Sequence, residues 1–263
     1  MIKRKADYWN TIAKRWDKDQ PQRLWRLYND ILNSDLINRW LTHSDQVNFL
    51  LKTDLFDEAL GKGLCPVLDP LSHNMIGIDI SSSIVNMACG RNGKLSGITA
   101  DLCFLPFNAE TFDIVISNSS LDHFETKHEI IHGLHEIHRV MRKGGKLIIT
   151  LDNLMNPVIA LRSILPFRLL NLLGLVPYYI GATLGPRRLR RIIENTGFKV
   201  DALDAVMHPP RLPAVLLTRM FEKYAGAKKQ NRFLHLLMAF ERLSGLPTRF
   251  LTGYFIAVKA VKH

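Results

Sequence analysis

This 263-residue chain has little cysteine, and what it has is poorly placed for a scaffold. Cys65, Cys89 and Cys103 are odd in number and lack ligand-like spacing, so neither a disulfide framework nor a zinc site is indicated, and a reducing cytoplasm fits. A long apolar run is also lacking. The stretch from Leu169 to Gly185 is uncharged but interrupted by Asn171, Gly174, Pro177 and Gly181, which argues against a spanning helix and leaves contact with a membrane surface open. The basic N-terminus MIKRKADYWN leads into no apolar core, so no secretory leader is expected. Acidic residues are scarce in the second half: residues 154–263 carry 17 Lys and Arg against 5 Asp and Glu, whereas residues 1–153 carry 18 against 19. The net charge of +11 is therefore C-terminal. Such a surface suits nucleic acid, anionic lipid headgroups or an acidic substrate, or serves solubility alone, and charge does not choose among them.

What is present is ordinary globular composition, 47% hydrophobic and 22% charged, enough for one well-buried domain. Its clearest stretch is FDIVISNSSLDHFETKHEIIHGLHEIHRVMRKGGKLIITLDN, residues 112–153. Ile114, Val115 and Ile116 form a β-branched run ending in Asn118, Ser119 and Ser120, which suits a buried strand opening onto a ligand crevice. Ile130, Ile131, Leu134, Ile137, His138 and Met141 recur at helical spacing. Lys143, Gly144 and Gly145 are expected to stop that helix before a strand resumes at Leu147.

Other strands are predicted at 47–51, 75–80 and 95–100, with later ones at 199–206 and 253–261. Residues 6–17 and 21–41 have helical periodicity and either form a lid over a ligand or cover one sheet face. After Asn153, Pro157, Pro166, Pro177 and Pro186 break an apolar, arginine-dotted region into short helices. Further helices are expected at 186–195, 213–224 and 229–243. The predicted architecture is α/β: a doubly wound, Rossmann-like sheet with N-terminal helices and a helical apolar-basic insertion after the fifth strand. Along a single domain this divides into a helical cap (1–44), a cofactor-binding core (45–153), the insertion (154–196) and the rest of the sheet with a helical excursion (197–263).

Alternating strands and helices bind ligands outside the carboxyl ends of the strands. Asp79, closing the second strand in IGIDISSS, can accept two hydrogen bonds from a ribose diol, or act as a helix N-terminal acid. Asp101, after the third strand, can take an exocyclic amine of adenine beside the apolar Leu102, or be an ordinary turn acid. In LLKTDLFDEALGKGL, Gly61 and Gly63 follow Asp57, but Ala59 stands where another glycine would let backbone approach a ligand, and Asp54 competes with Asp57 as the first-strand acid.

These residues, with ADLCFLPF, FDIVISNSSLDHF, RVMRKGGKLIIT and the pair Gly197-Phe198, resemble the class I S-adenosylmethionine-dependent methyltransferases over about residues 45–206. The resemblance implies a seven-stranded sheet, mostly parallel with a reversed last strand, and S-adenosyl-L-methionine as cofactor. It also implies Asp79 with Ile80 at the ribose, Asp101 with Leu102 at the adenine, Gly61, Gly63 and Asp57 or Asp54 at the methionine end, and Asn118 beneath the sulfonium. The family's acidic-x-Gly-x-Gly-x-Gly run is broken here at Ala59.

Methyl transfer from a sulfonium is an in-line displacement, so positioning and desolvation can supply most of the barrier lowering, and no metal is expected. His123, with Asp122 beside it, could take a proton from a hydroxyl nucleophile, or simply be bonded into the crevice wall. His128, His132, His135 and His138 share helix faces but lack a carboxylate or cysteine to complete a metal site, and are expected to be packing and surface residues. Leucines around Arg162, Arg168, Arg187, Arg188, Arg190 and Arg191, with Tyr178 and Tyr179, suit either a membrane interface or a cap over the site. The resulting expectation is a methyltransferase for a hydrophobic or lipid-like small molecule, cytoplasmic or peripheral at the inner face of an anionic membrane. A non-catalytic binding protein of the same fold is the alternative. A nucleic-acid methyltransferase is disfavoured because NSSL, not an Asn-Pro-Pro-Tyr-type loop, follows the fourth strand.

Overall fold

The computed structural model describes residues 2–42, 46–172, 176, 178, 179 and 181–263, with side chains from residue 5 onward. Pro177, a predicted helix breaker, lies outside the described residues. Two helices, α1 (Ile2–Asp19) and α2 (Arg23–Trp40), precede β1 (Val47–Thr53). Then follow α3 (Phe56–Leu60), α4 (Cys65–Leu68), β2 (Ser72–Asp79), α5 (Ser82–Arg91), β3 (Leu95–Thr99), β4 (Phe112–Asn118), α6 (Lys127–Val140) and β5 (Met141–Asp152). The insertion holds α7 (Pro157–Ile164), α8 (Phe167–Leu172) and α9 (Pro186–Asn195). The chain closes with β6 (Phe198–Val206), α10 (Arg211–Tyr224), α11 (Ala227–Ala239), α12 (Arg249–Thr252) and β7 (Phe255–Lys262).

The strands form one seven-stranded sheet ordered β3-β2-β1-β4-β5-β7-β6. β7 runs antiparallel between β5 and β6, and the other pairs are parallel. Strand order reverses between β1 and β4, so a crevice opens at their carboxyl ends. Both faces are covered, which is why the central strands are continuously apolar: Leu50, Leu51, Ile114, Val115 and Ile116 are all at most 1% exposed. Ile130, Leu134 and Ile137 of α6 pack on one face, and Ile84, Val85 and Ala88 of α5 belong to the cluster on the other. Each such buried aliphatic side chain contributes about 1.5–3 kcal/mol.

Helix α6 starts at a capping box, Thr126 with Glu129, and stops earlier than its periodicity predicts. Val140 is its last residue, and Met141 already pairs with Phe112 as the first residue of β5. Gly144 and Gly145 lie inside the strand, where the β4–β5 register shifts. The turn chemistry is still needed: Gly144 has φ 76°, and a Cβ on Gly145 would meet two backbone oxygens at 2.8 and 3.0 Å.

The N-terminal helices divide their work. Ile12, Ala13 and Trp16 of α1 are buried beside the cavity-lining loops, while Leu24, Trp25, Tyr28 and Leu32 of α2 join Phe233, Leu234 and Leu237 of α11 in one cluster. Tyr28 is fully buried and donates to Glu241 at 2.7 Å. Helices α7, α8 and α10 are the exception to apolar burial. Val158, Leu161, Ile164, Leu169 and Leu172 are exposed on the first two, and Leu212, Leu216, Met220 and Tyr224 form an exposed i, i+4 stripe on α10. Among the described residues, no helix is long and apolar enough to cross a membrane.

Candidate active site

A cavity of about 190 Å³ lies at the carboxyl ends of β1, β2, β4 and β5. On one side the strand ends carry acids. Asp54, just past β1, adopts φ 132°, a backbone conformation that usually selects glycine, and its Oδ1 accepts from Phe56 N at 2.9 Å. Asp79 accepts from Ser81 N at 2.8 Å and from Leu55 N at 3.1 Å, so it ties the β1 loop to β2. Asp57 also lines the cavity. Burial pushes all three acids up, Asp54 to about 6 and Asp57 and Asp79 to about 7. Lys52, the cation beneath them, is 2% exposed and committed to Glu58 at 2.9 Å. This side therefore has an excess of buried carboxylates, which a cationic or hydrogen-bond-donating ligand would satisfy.

Asp101, Leu102 and Ile80 line the same end, and Asp101 Oδ1 accepts from Cys103 N at 2.9 Å. Asn118 lies at the end of β4, its Oδ1 accepting from Thr150 Oγ1 at 2.7 Å. Of the expected cofactor residues, only Gly61 and Gly63 are not brought to the cavity. Helix α3 intervenes: Asp54 and the first residues of α3, Phe56 and Asp57, face the cavity, and the glycines follow one helical turn later. Gly63, at φ 50°, instead makes room for Glu58, whose Oε1 would lie 2.4 Å from a Cβ there. Ala59 is 1% exposed inside α3 and packs in the core, so the break in the glycine run does not face the cavity.

The opposite end is aromatic. His123 packs against Trp9 and Tyr178, with ring centroids 4.6 and 5.7 Å away, and Trp9 also meets Phe56 at 6.3 Å. His123 Nδ1 lies 3.1 Å from the Tyr179 carbonyl, which can only accept, so the proton sits on Nδ1 and Nε2 keeps a free lone pair. Burial lowers the His123 pKa and holds the ring neutral near pH 7. Asp122 does not orient that ring. It accepts from Asp152 N at 3.1 Å, and burial beside Asp152 raises its pKa well above the usual carboxylate range. Tyr178, expected at a membrane interface or in a cap over the site, turns inward to the cluster, where burial pushes its hydroxyl up to about 12. Asn29 and Asn33 of α2, Asp152 of β5, Met207 and Arg211 complete this end. Asp152 closes β5 as Asp79 closes β2, and the others had no local signal apart from α2 having the periodicity of a lid.

Sequence comparison matches residues 59–149 to a methyltransferase domain family. That match runs from helix α3 to strand β5, about a third of the chain, and makes S-adenosylmethionine, the cofactor the sequence resemblance implies, the group to set against the site. Its donor set fits that cofactor: Asp79 presents lone pairs for a ribose diol, Asp101 lies between Ile80 and Leu102 in sequence, and the excess acids at Asp54 and Asp57 suit an ammonium. A Xenopus tropicalis relative, tRNA (carboxymethyluridine(34)-5-O)-methyltransferase alkbh8, is 37% identical over 75 residues, 28% of this chain and 12% of its own length. The chain thus spans a small part of that relative. Among solved structures, a Haloferax volcanii complex of the Trm112 methyltransferase activator with a candidate methyltransferase aligns at TM-score 0.62 and 16% identity, covering 98% of this chain and 97% of that one. An Archaeoglobus fulgidus SAM-dependent methyltransferase aligns at TM-score 0.57 and 15% identity, covering 89% and 94%. At such identities these structures support the fold.

Proposed function

We propose that the protein transfers the methyl group of S-adenosylmethionine to a hydrophobic, lipid-like small molecule. The observation that carries this reading is the wall of Trp9, Phe56, His123 and Tyr178 that lines the same cavity as the acidic strand ends. The cofactor supplies an electrophilic methyl on a cationic sulfonium. Asp79, Asp101 and the Asp54–Asp57 loop bind and orient it, and Asn118 sits at the strand end nearest the switch in strand order. The aromatic wall excludes water and holds the acceptor in line, the main source of rate in such a displacement. For a hydroxyl acceptor, His123 Nε2 takes the proton as the oxygen attacks.

Exposed apolar residues of α7, α8 and α10, interleaved with Arg168, Arg219 and Lys223, support docking on an anionic membrane surface from which such an acceptor would enter. A second reading, a tRNA acceptor, draws support from the tRNA methyltransferase relative and from the basic second half of the chain. Titration calorimetry with S-adenosylhomocysteine tests the shared part: saturable heat is expected, and no heat at millimolar ligand would sink it. Sedimentation with anionic vesicles against a gel shift with tRNA separates the two acceptors. Salt-sensitive tRNA binding without vesicle binding would replace the first reading by the second.

A further inference from the structure

The acceptor end of the cavity holds a cation without a counter-ion. Arg211, the first residue of α10, lines the cavity and places its guanidinium 4.7 Å from the centre of the Tyr254 ring. No carboxylate among the described residues comes within ion-pair distance of it. Asp152, the carboxylate whose charge reaches Arg211, is already taken by Arg162 at 2.5 Å on the α7 side. Asp122 is buried beside Asp152 and accepts from its backbone, an arrangement that raises its pKa well above the usual carboxylate range. Donors exceed acceptors here as well: Arg162, with its side chain 10% exposed, keeps Nη1 buried without a partner. A half-buried guanidinium gains from an anion that meets it, and Tyr254 offers it a ring face and a side-chain hydrogen bond but no carboxylate.

We propose that Arg211 receives an anionic oxygen group, a carboxylate or a phosphate, carried by the acceptor. The inference rests on the apolar-acceptor reading and narrows it to anionic amphiphiles: an apolar body against Trp9 and Tyr178, and an acidic group at Arg211. The fork of the guanidinium suits bidentate capture of either group. Arg211 is thus a binding and positioning residue that fixes the acceptor beside Tyr254.

The test uses the full chain loaded with S-adenosylhomocysteine and three probes of one shape: phenylpropionate, phenylpropyl phosphate and the neutral phenylpropanol. Titration calorimetry is expected to show at least one anion binding about tenfold or more tighter than the alcohol. Whichever anion leads identifies the group. In Arg211→Gln that preference should fall to parity, while Arg211→Lys, which keeps the charge and loses the fork, should retain part of it. Affinity for S-adenosylhomocysteine and the thermal midpoint report whether each variant is folded. Equal binding of anions and alcohol by the wild type, or an anion preference surviving in Arg211→Gln, would overturn the proposal and leave the apolar-acceptor reading standing. If S-adenosylhomocysteine binds and none of the three probes does, the apolar-acceptor reading fails and this inference with it.

Discussion

The two ends of the cavity are built in opposite ways. At the cofactor end, Asp54, Asp79 and Asn118 sit at or just beyond the last residue of a parallel strand, and Asp101 two residues beyond one, so the sheet alone places them. At the acceptor end, Trp9, Tyr178, Asp152 and Arg211 come from four separate parts of the chain and meet only because α1, the insertion and α10 converge on the cavity. Charge differs as well: the first end has buried acids in excess, the second an unpaired guanidinium. A rigid end of fixed chemistry thus faces an end that can vary its chemistry without disturbing the sheet.

The largest expected effect falls on the cofactor end. Lys52→Met leaves Glu58 buried and unpaired and also removes the hydrogen bond that Lys52 donates to the Asp54 carbonyl. Urea denaturation should show a loss of about 3–5 kcal/mol, the cost of breaking a buried ion pair from one side. Next, Asp79→Ala should weaken S-adenosylhomocysteine by about 150-fold or more in calorimetry, since two hydrogen bonds to a charged group contribute about 1.5–3 kcal/mol each. Unchanged affinity would break the comparison, because the acids would then serve the loop alone.

His123→Gln should do the reverse: affinity for S-adenosylhomocysteine stays constant, while incorporation of radiolabelled methyl into an apolar-extractable product falls about 100-fold, the scale of general-base catalysis. Because burial lowers the His123 pKa, wild-type turnover should be flat around pH 7 and decline only below the ordinary histidine range, and the variant should lose that acid limb. The smallest effect is pH-linked. Asp54, Asp57 and Asp79 titrate at about 6, about 7 and about 7 in the free protein. Raised carboxylate values stabilise the free fold below the unfolded pKa, and that contribution is lost as pH rises through the folded values. A ligand that needs them ionised should therefore bind about tenfold more tightly as pH rises across that range, with proton release measurable in buffers of different ionisation heat.

Much of the cofactor end was legible because its signals are local. IGID and FDIVISN announce strand ends by a β-branched run followed by a polar residue, and the structure brings Asp79 and Asn118 to the cavity. Spacing misled where a short helix intervened: Gly61 and Gly63 match a ligand-facing turn in sequence, yet α3 carries them past the cavity and leaves Asp54 in the glycine-like conformation. Gly144 and Gly145 were visible as a turn, but pairing of Met141 with Phe112 moved that turn inside β5. Arg211 carried no signal at all, since one arginine at the start of a helix looks like its neighbours on the surface.

The sequence by itself determined the order of strands and helices, the seven-stranded class of sheet and the acids at its strand ends, because periods of 2 and 3.6 residues and polar residues closing apolar runs act over a few neighbours. Only the tertiary structure decided that Tyr178 turns inward, that Arg162 takes Asp152, and that Arg211 is left facing the cavity unpaired. The first depends on a contact between segments more than 50 residues apart, Tyr178 against His123, and the others on how helices α7 and α10 seat against the sheet. Their geometry is set by how whole helices pack on the sheet, and no local pattern encodes it.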